Sequence, residues 1–114
     1  RETFLYQLNK ILKNSKKNIF ILGASFKPNS DDIRFSKSID LVKILQRNKK
    51  KNIFVSDPKC YDSIKNLFEK NVKILKKPKK IKNTTYVLAT AWKEYIQFSK
   101  KLEISDLIDL RYIV

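Results

Sequence analysis

The chain has 114 residues, 42% of them hydrophobic, and carries 26 basic against 11 acidic side chains for a formal net charge of +15. That length suffices for one packed core and is too short for a two-domain enzyme. With no histidine and a single cysteine, Cys60, internal disulfides, the usual zinc sites and the serine- or cysteine-histidine catalytic arrangements are all excluded.

No apolar run approaches the roughly 18 residues of a membrane span, and no charged and apolar leader opens the sequence, so a cytoplasmic, membrane-free protein is the expectation. The first residue is Arg1 instead of methionine, which suggests a piece cut from something longer. Only Arg1, Arg34, Arg47 and Arg111 among the basic residues are arginine; the other 22 are lysine. Surfaces dedicated to nucleic acid add arginine for bidentate contacts and aromatics for stacking, gathered on one face. Here the lysines are scattered, as at Lys49 to Lys51 and Lys76 to Lys80, and read as solvated surface. A basic nucleic-acid-binding module is kept as an alternative because any protein with this field attracts polyanions at low salt.

Taken in chain order, Phe4, Leu5, Leu8, Ile11 and Leu12 recur at helical spacing and predict a helix from about Glu2 to Asn14. Asn18 to Leu22 is a nearly continuous apolar run, as in a strand buried on both faces, and Gly23 permits a tight exit. After a polar stretch, Ser36 or Ser38 can cap a helix with apolar positions Ile39, Leu41, Val42, Ile44 and Leu45, closed by the lysine run. Asn52 to Ser56 is a second buried strand, ended by Asp57-Pro58. A helix is expected over Cys60 to Asn71, a short strand over Val72 to Leu75, a strand over Thr85 to Ala91, a helix over Trp92 to Lys101 and a last strand over Leu107 to Val114.

Alternation of this kind predicts an α/β, Rossmann-like three-layer sandwich: about five mainly parallel strands in order 3-2-1-4-5 with helices on both faces. The lysine-rich link after Leu75, interrupted by Pro78, is too short for a crossover helix. It has to pass three strand spacings, roughly 14 Å, and descend roughly 17 Å, which an extended chain reaching about 30 Å allows.

In open α/β sheets chemistry collects at the carboxyl ends of strands. The first such end holds the chain's one glycine, then Lys27, the carboxylates Asp31 and Asp32, and Arg34. Lys27 and Arg34 flanking that point ask for a phosphate. Asp31 and Asp32, adjacent in a turn, point apart and have no third ligand in view, so they suit capping and loop bracing and no metal site is expected.

The run Gly23-Ala24-Ser25-Phe26-Lys27-Pro28-Asn29-Ser30-Asp31-Asp32-Ile33-Arg34, with Ser36, resembles the opening of the C-terminal domain of the UDP-glucose/GDP-mannose dehydrogenase family, Gly-Leu-Ala-Phe-Lys-Pro-Asn-Thr-Asp-Asp-Ile-Arg-Glu-Ser. The likeness continues through Ser56-Asp57-Pro58, Thr90-Ala91-Trp92-Lys93-Glu94-Tyr95 and Asp109-Leu110-Arg111, and so covers Asn18 to Val114. It implies that residues 1–16 are the end of a linker from a central domain and residues 17–114 a nucleotide-sugar (UDP)-binding domain.

The parent enzymes of the family oxidise the C6 alcohol of a UDP-sugar to a carboxylate with NAD and a cysteine nucleophile from an earlier domain. The present chain lacks the glycine-rich NAD fingerprint, and Cys60 lacks the nucleophile's setting, so no catalytic residue is assigned and the fragment is expected to be inert alone. The resemblance places Phe26, Lys27 and Arg111 at the substrate and Arg34 at an NAD bound mainly by the missing N-terminal domain. It implies the UDP-sugar and the missing N-terminal and central domains as partners, a homodimeric or larger parent, and a monomeric fragment. On the residues alone, Arg34 could pair with Asp31 or Asp32, Arg111 could snorkel, and Trp92 belongs to the core. Phe35 departs from the family's glutamate. A receiver-like signalling domain is the third reading, set against by the late carboxylate pair, Asp57 after strand two and Arg111 in place of a lysine.

Overall fold

The computed structural model describes residues 3–25, 33 and 36–111. Five parallel strands, β1 (Asn18–Leu22), β2 (Asn52–Ser56), β3 (Val72–Leu75), β4 (Thr84–Leu88) and β5 (Leu107–Asp109), lie in the order β3-β2-β1-β4-β5. The expected topology is the observed one. Helices α1 (Phe4–Asn14), α2 (Lys37–Leu45), α3 (Tyr61–Ile64) and α4 (Lys93–Lys100) punctuate it. Among the described residues no helix is long and apolar enough to cross a membrane.

The strict two-residue period of the strands divides the core. Ile19, Ile21, Ile53, Val55, Val87 and Ile108 form an aliphatic layer with Leu8 and Ile11 of α1, the buried face of α2 and Ile64 of α3. Phe20, Leu22, Tyr86 and Leu88 point to the other face, where Trp92 and Tyr95 cover them. On that second face Phe54, Phe20 and Tyr86 stand in register on three adjacent strands, stacked at centroid spacings of 5.6 and 5.5 Å. Phe98 of α4 meets Tyr86 edge-on at 5.5 Å. The link between β3 and β4 crosses this aromatic surface. Ile81 packs into it, and the Tyr86 hydroxyl donates to the Lys79 carbonyl at 2.9 Å while accepting from the Ile81 N–H at 2.8 Å. Asn83 then enters β4 at φ 56°, a left-handed conformation that asparagine tolerates.

Several elements are shorter than the sequence suggests. Helix α1 starts at Phe4, capped by Thr3, whose hydroxyl accepts the Tyr6 N–H. Ser36 is the cap of α2, and its hydroxyl accepts the Ile39 N–H. The lysine run lies beyond the end of α2. There Lys51 donates to the carbonyls of Ser15 and Lys16 and Lys49 pairs with Glu69.

Only one turn of the expected helix over Cys60 to Asn71 forms. The Gln46 side chain takes the Glu69 N–H and its carbonyl takes the Asn71 side chain, so the segment is drawn into turns instead. Strand β4 ends at Leu88 because the Leu22 carbonyl receives both the Ala89 and Thr90 N–H groups, and β1 offers no further ladder. Trp92 flanks α4 as its N-cap residue and is buried, as expected of core. Strand β5 ends at Asp109, short of expectation, because the Asp109 carboxylate accepts the Arg111 N–H and Leu110 and Arg111 form a turn; residues 112–114 of the expected strand lie outside the described residues.

Candidate functional site: the carboxyl edge of the sheet

Strand β1 leaves the sheet at the position where the strand order changes direction, with β2 on one side and β4 on the other. Gly23 makes the exit at φ +105°, and a Cβ there would stand 2.4 Å from Thr90 Cβ and 2.5 Å from Thr90 Oγ1. Both the dihedral and the close approach of Thr90 therefore require glycine.

The backbone that follows is answered group by group. Gly23 N–H donates to the Ser56 carbonyl at 2.9 Å. The Asp57 carboxylate accepts Ala24 N–H at 2.8 Å and Ser25 N–H at 3.1 Å on one oxygen, and Lys59 N–H and Cys60 N–H at 2.9 Å each on the other. The Ser36 hydroxyl donates to the Ala24 carbonyl at 2.6 Å, and Thr90 Oγ1 donates to the Ser25 carbonyl at 3.2 Å. Asp57, at 1% exposure, is thus a buried carboxylate shared between the exits of β1 and β2. Its place in the sequence suggests a strand terminator on the ligand edge of the sheet, and β2 does end there, at Ser56. The signal that could have found its role is an acidic residue directly after a buried strand, because a carboxylate drawn into the interior there has to be met by hydrogen-bond donors.

Of the site residues expected from the sequence, Phe26, Lys27 and Arg34 lie outside the described residues, as do Asp31, Asp32 and Phe35. Arg111 is exposed, two residues past β5, at the carboxyl end of the sheet. Strands β1 and β5 are separated by β4 alone, so their carboxyl ends stand about 10 Å apart. Cys60 is fully buried. Among the described residues no group of His, Cys, Asp or Glu is placed to hold a metal.

A cleft of about 770 Å³ opens on the far side of the edge, between the ends of β2 and β3 and helix α4, with Pro58, Lys59, Tyr61, Lys76 and Tyr95 in its walls. Lysines dominate its rim, but Asp62 and Glu94 sit among them and Lys76 lies over the Tyr61 ring at 5.2 Å, so its charge is largely offset. At its base the Tyr95 hydroxyl is buried facing Ser56 without a hydrogen bond of ordinary geometry. Burial pushes its pKa well above the usual tyrosine value, Ser56 pulls the other way, and the Asp57 charge adds to the rise.

A parallel doubly wound sheet with a glycine-dependent, polar-pinned turn at its switch point defines a Rossmann-like α/β domain, the class whose ligands sit at the carboxyl ends of the strands. The chain belongs to the UDP-glucose/GDP-mannose dehydrogenase family, whose UDP binding domain matches residues 20–114. It is 33% identical over 111 residues to the UDP-glucose 6-dehydrogenase of Rickettsia felis (strain ATCC VR-1525 / URRWXCal2). It is 36% identical over 106 residues to that of Rickettsia conorii (strain ATCC VR-613 / Malish 7). Each match covers 86% of this chain and 23% of the relative, so the chain spans about a quarter of their length. In fold it is similar to a UDP-glucose dehydrogenase from the hyperthermophilic archaeon Pyrobaculum islandicum, with a TM-score of 0.69 at 23% identity over 96% of this chain and 26% of that one.

Proposed function

We propose that the chain is the UDP-sugar-binding domain of an NAD-dependent UDP-sugar 6-dehydrogenase. The observation that carries this is the family's Phe-Lys motif following directly on Gly23–Ser25, at the switch point of the sheet. In this reading Lys27 meets the substrate diphosphate, Phe26 forms the adjoining wall, and Arg111 reaches the nucleotide sugar from the β5 side. Arg34 meets an NAD held by another domain.

The described residues do not fit an NAD site of this domain's own. Dinucleotide folds use a free carboxylate beyond the glycine-rich turn to accept the ribose hydroxyls, whereas both oxygens of Asp57 are taken by four backbone N–H groups. Catalysis would then belong to the missing domains and the isolated chain would be inert.

Residues 1–16 are read as the end of the interdomain linker. Supporting that, α1 buries Leu8 and Ile11 but leaves Leu5 64% and Tyr6 57% exposed, apolar area that a preceding domain would cover. A cytoplasmic setting and a dimeric or larger parent belong to the same proposal. Against a nucleic-acid module stand the lysines engaged within the fold: Lys16 with Asp106, Lys49 with Glu69, Lys65 with Asp62 and Lys51 with two carbonyls.

An NMR titration with UDP at moderate salt tests the reading. Binding is expected to be weak, on the order of 1 mM, because much of the cleft is missing. Lys27→Ala removes a charge-assisted phosphate contact and should weaken binding about tenfold or more. Lys79→Ala, an equal change of charge in the exposed β3–β4 link, should leave it nearly unchanged. Equal losses in the two variants would mean that bulk charge alone attracts UDP and would remove the case for a site at Lys27.

A further inference from the structure

We propose that Asp57 is a positioning residue for UDP-sugar recognition: its buried carboxylate, with the Thr90 hydroxyl, sets the direction in which the chain leaves β1 toward the Phe26-Lys27 pair. The inference rests on the functional reading above and extends it to two side chains that have no part in ligand contact. Four N–H groups reach one carboxylate, two from the exit of β1 and two from its own turn after β2. That matches the full acceptor capacity of an ionised carboxyl group and leaves nothing to offer a ligand.

The arrangement acts on consecutive peptide groups. Ala24 and Ser25 have their N–H groups on Asp57, the Ala24 carbonyl on Ser36 and the Ser25 carbonyl on Thr90. Elements β2, α2 and β4 therefore each hold one side of two adjacent residues, and these fix the backbone one peptide before Phe26. Packing alone would not demand this, since Ala24 and Ser25 bury little side chain. What the bonds determine is the course of the backbone at Ala24 and Ser25.

Asp57→Asn keeps the shape but replaces one acceptor oxygen by an NH₂ group facing two N–H donors. With UDP as the probe, at a temperature where amide spectra show the variant folded, its affinity should fall about tenfold although Lys27 is intact. The double variant Asp57→Asn/Lys27→Ala should lose little more than either single change, and amide exchange should quicken at Ala24 and Ser25. Thr90→Val should weaken UDP binding several-fold and Thr90→Ser should restore it.

Wild-type affinity in folded Asp57→Asn, with Lys27→Ala still impaired, overturns the positioning role and leaves the functional reading standing. If Asp57→Asn does not fold, unchanged affinity in Thr90→Val overturns it equally. No UDP binding by the unaltered chain removes the functional reading and this inference together.

Discussion

The exit of β1 and the aromatic face of the sheet lie on the same strands and are held by opposite means. At the exit, directional contacts from Ser36, Asp57 and Thr90 answer the backbone of Ala24 and Ser25, with little apolar area involved. On the aromatic face, Phe54, Phe20, Tyr86 and Phe98 pack by area, while Trp92 Nε1, the Tyr95 hydroxyl and the Ser99 hydroxyl are buried without partners. Hydrogen bonds exchanged with water contribute little net stability but fix position; apolar burial contributes most of the stability and tolerates loose ends. The domain places its positional control at the carboxyl edge, where the proposed ligand site lies, and its stability behind it.

Gly23→Ala breaks the first region most severely. The new methyl meets Thr90 at 2.4 Å, and φ +105° is closed to alanine without strain. A loss of more than about 3 kcal/mol is expected, seen as a fall in melting temperature of more than about 10 °C, or failure to fold. A melting temperature within a few degrees of the parent would mean that the exit of β1 is not held as described.

The contrast also explains what was legible in the sequence. Strands β1, β2 and β3 have the limits that their apolar runs suggest, and the parallel sheet follows from strand and helix alternation, with the expected 3-2-1-4-5 order the one observed. Which face each strand residue serves was not legible, because Ile19, Phe20, Ile21 and Leu22 are all apolar and only the register sorts them. The sequence suggests a longer α3 because Ile64, Leu67 and Phe68 have helical spacing, yet Gln46, far away in sequence, captures Glu69 and Asn71. Asp57 does end β2, as its place after the apolar run suggests; what was not legible, for the same reason, is that two of its four donors are Ala24 and Ser25, 33 and 32 positions away. The motif names the side chains proposed to meet the ligand; the nonlocal hydrogen bonds that hold the chain just before them are seen only in the fold.

Tyr86→Phe sharpens the other side of the comparison. It deletes a directional device of the aromatic face, the hydroxyl that donates to the Lys79 carbonyl and accepts from the Ile81 N–H, and leaves the stacking intact. A loss of about 2 kcal/mol is expected in urea unfolding, with faster amide exchange at Ile81 and no change in UDP affinity. A cost under about 0.5 kcal/mol would show that the β3–β4 link is held by Ile81 packing and not by the tyrosine.

Tyr95→Phe should have the smallest effect at neutral pH and an opposite one in alkali. The hydroxyl is buried without a good hydrogen bond, so removing it should change stability by no more than about 1 kcal/mol at pH 7. In the folded chain its pKa is raised, chiefly by burial, above the value of about 10 that it has when unfolded. Below pH 10 both states keep the proton and no stability is lost. As pH rises past 10 only the unfolded state ionises, which draws the equilibrium toward it. Lysines also titrate there, relieving a net charge of +15, so the wild-type curve alone does not isolate the tyrosine. The difference between variant and parent does. Urea midpoints at pH 8, 10 and 11 should be close at pH 8 and diverge above 10, with Tyr95→Phe the more stable; parallel curves would mean that Tyr95 ionises as freely in the fold as in the open chain.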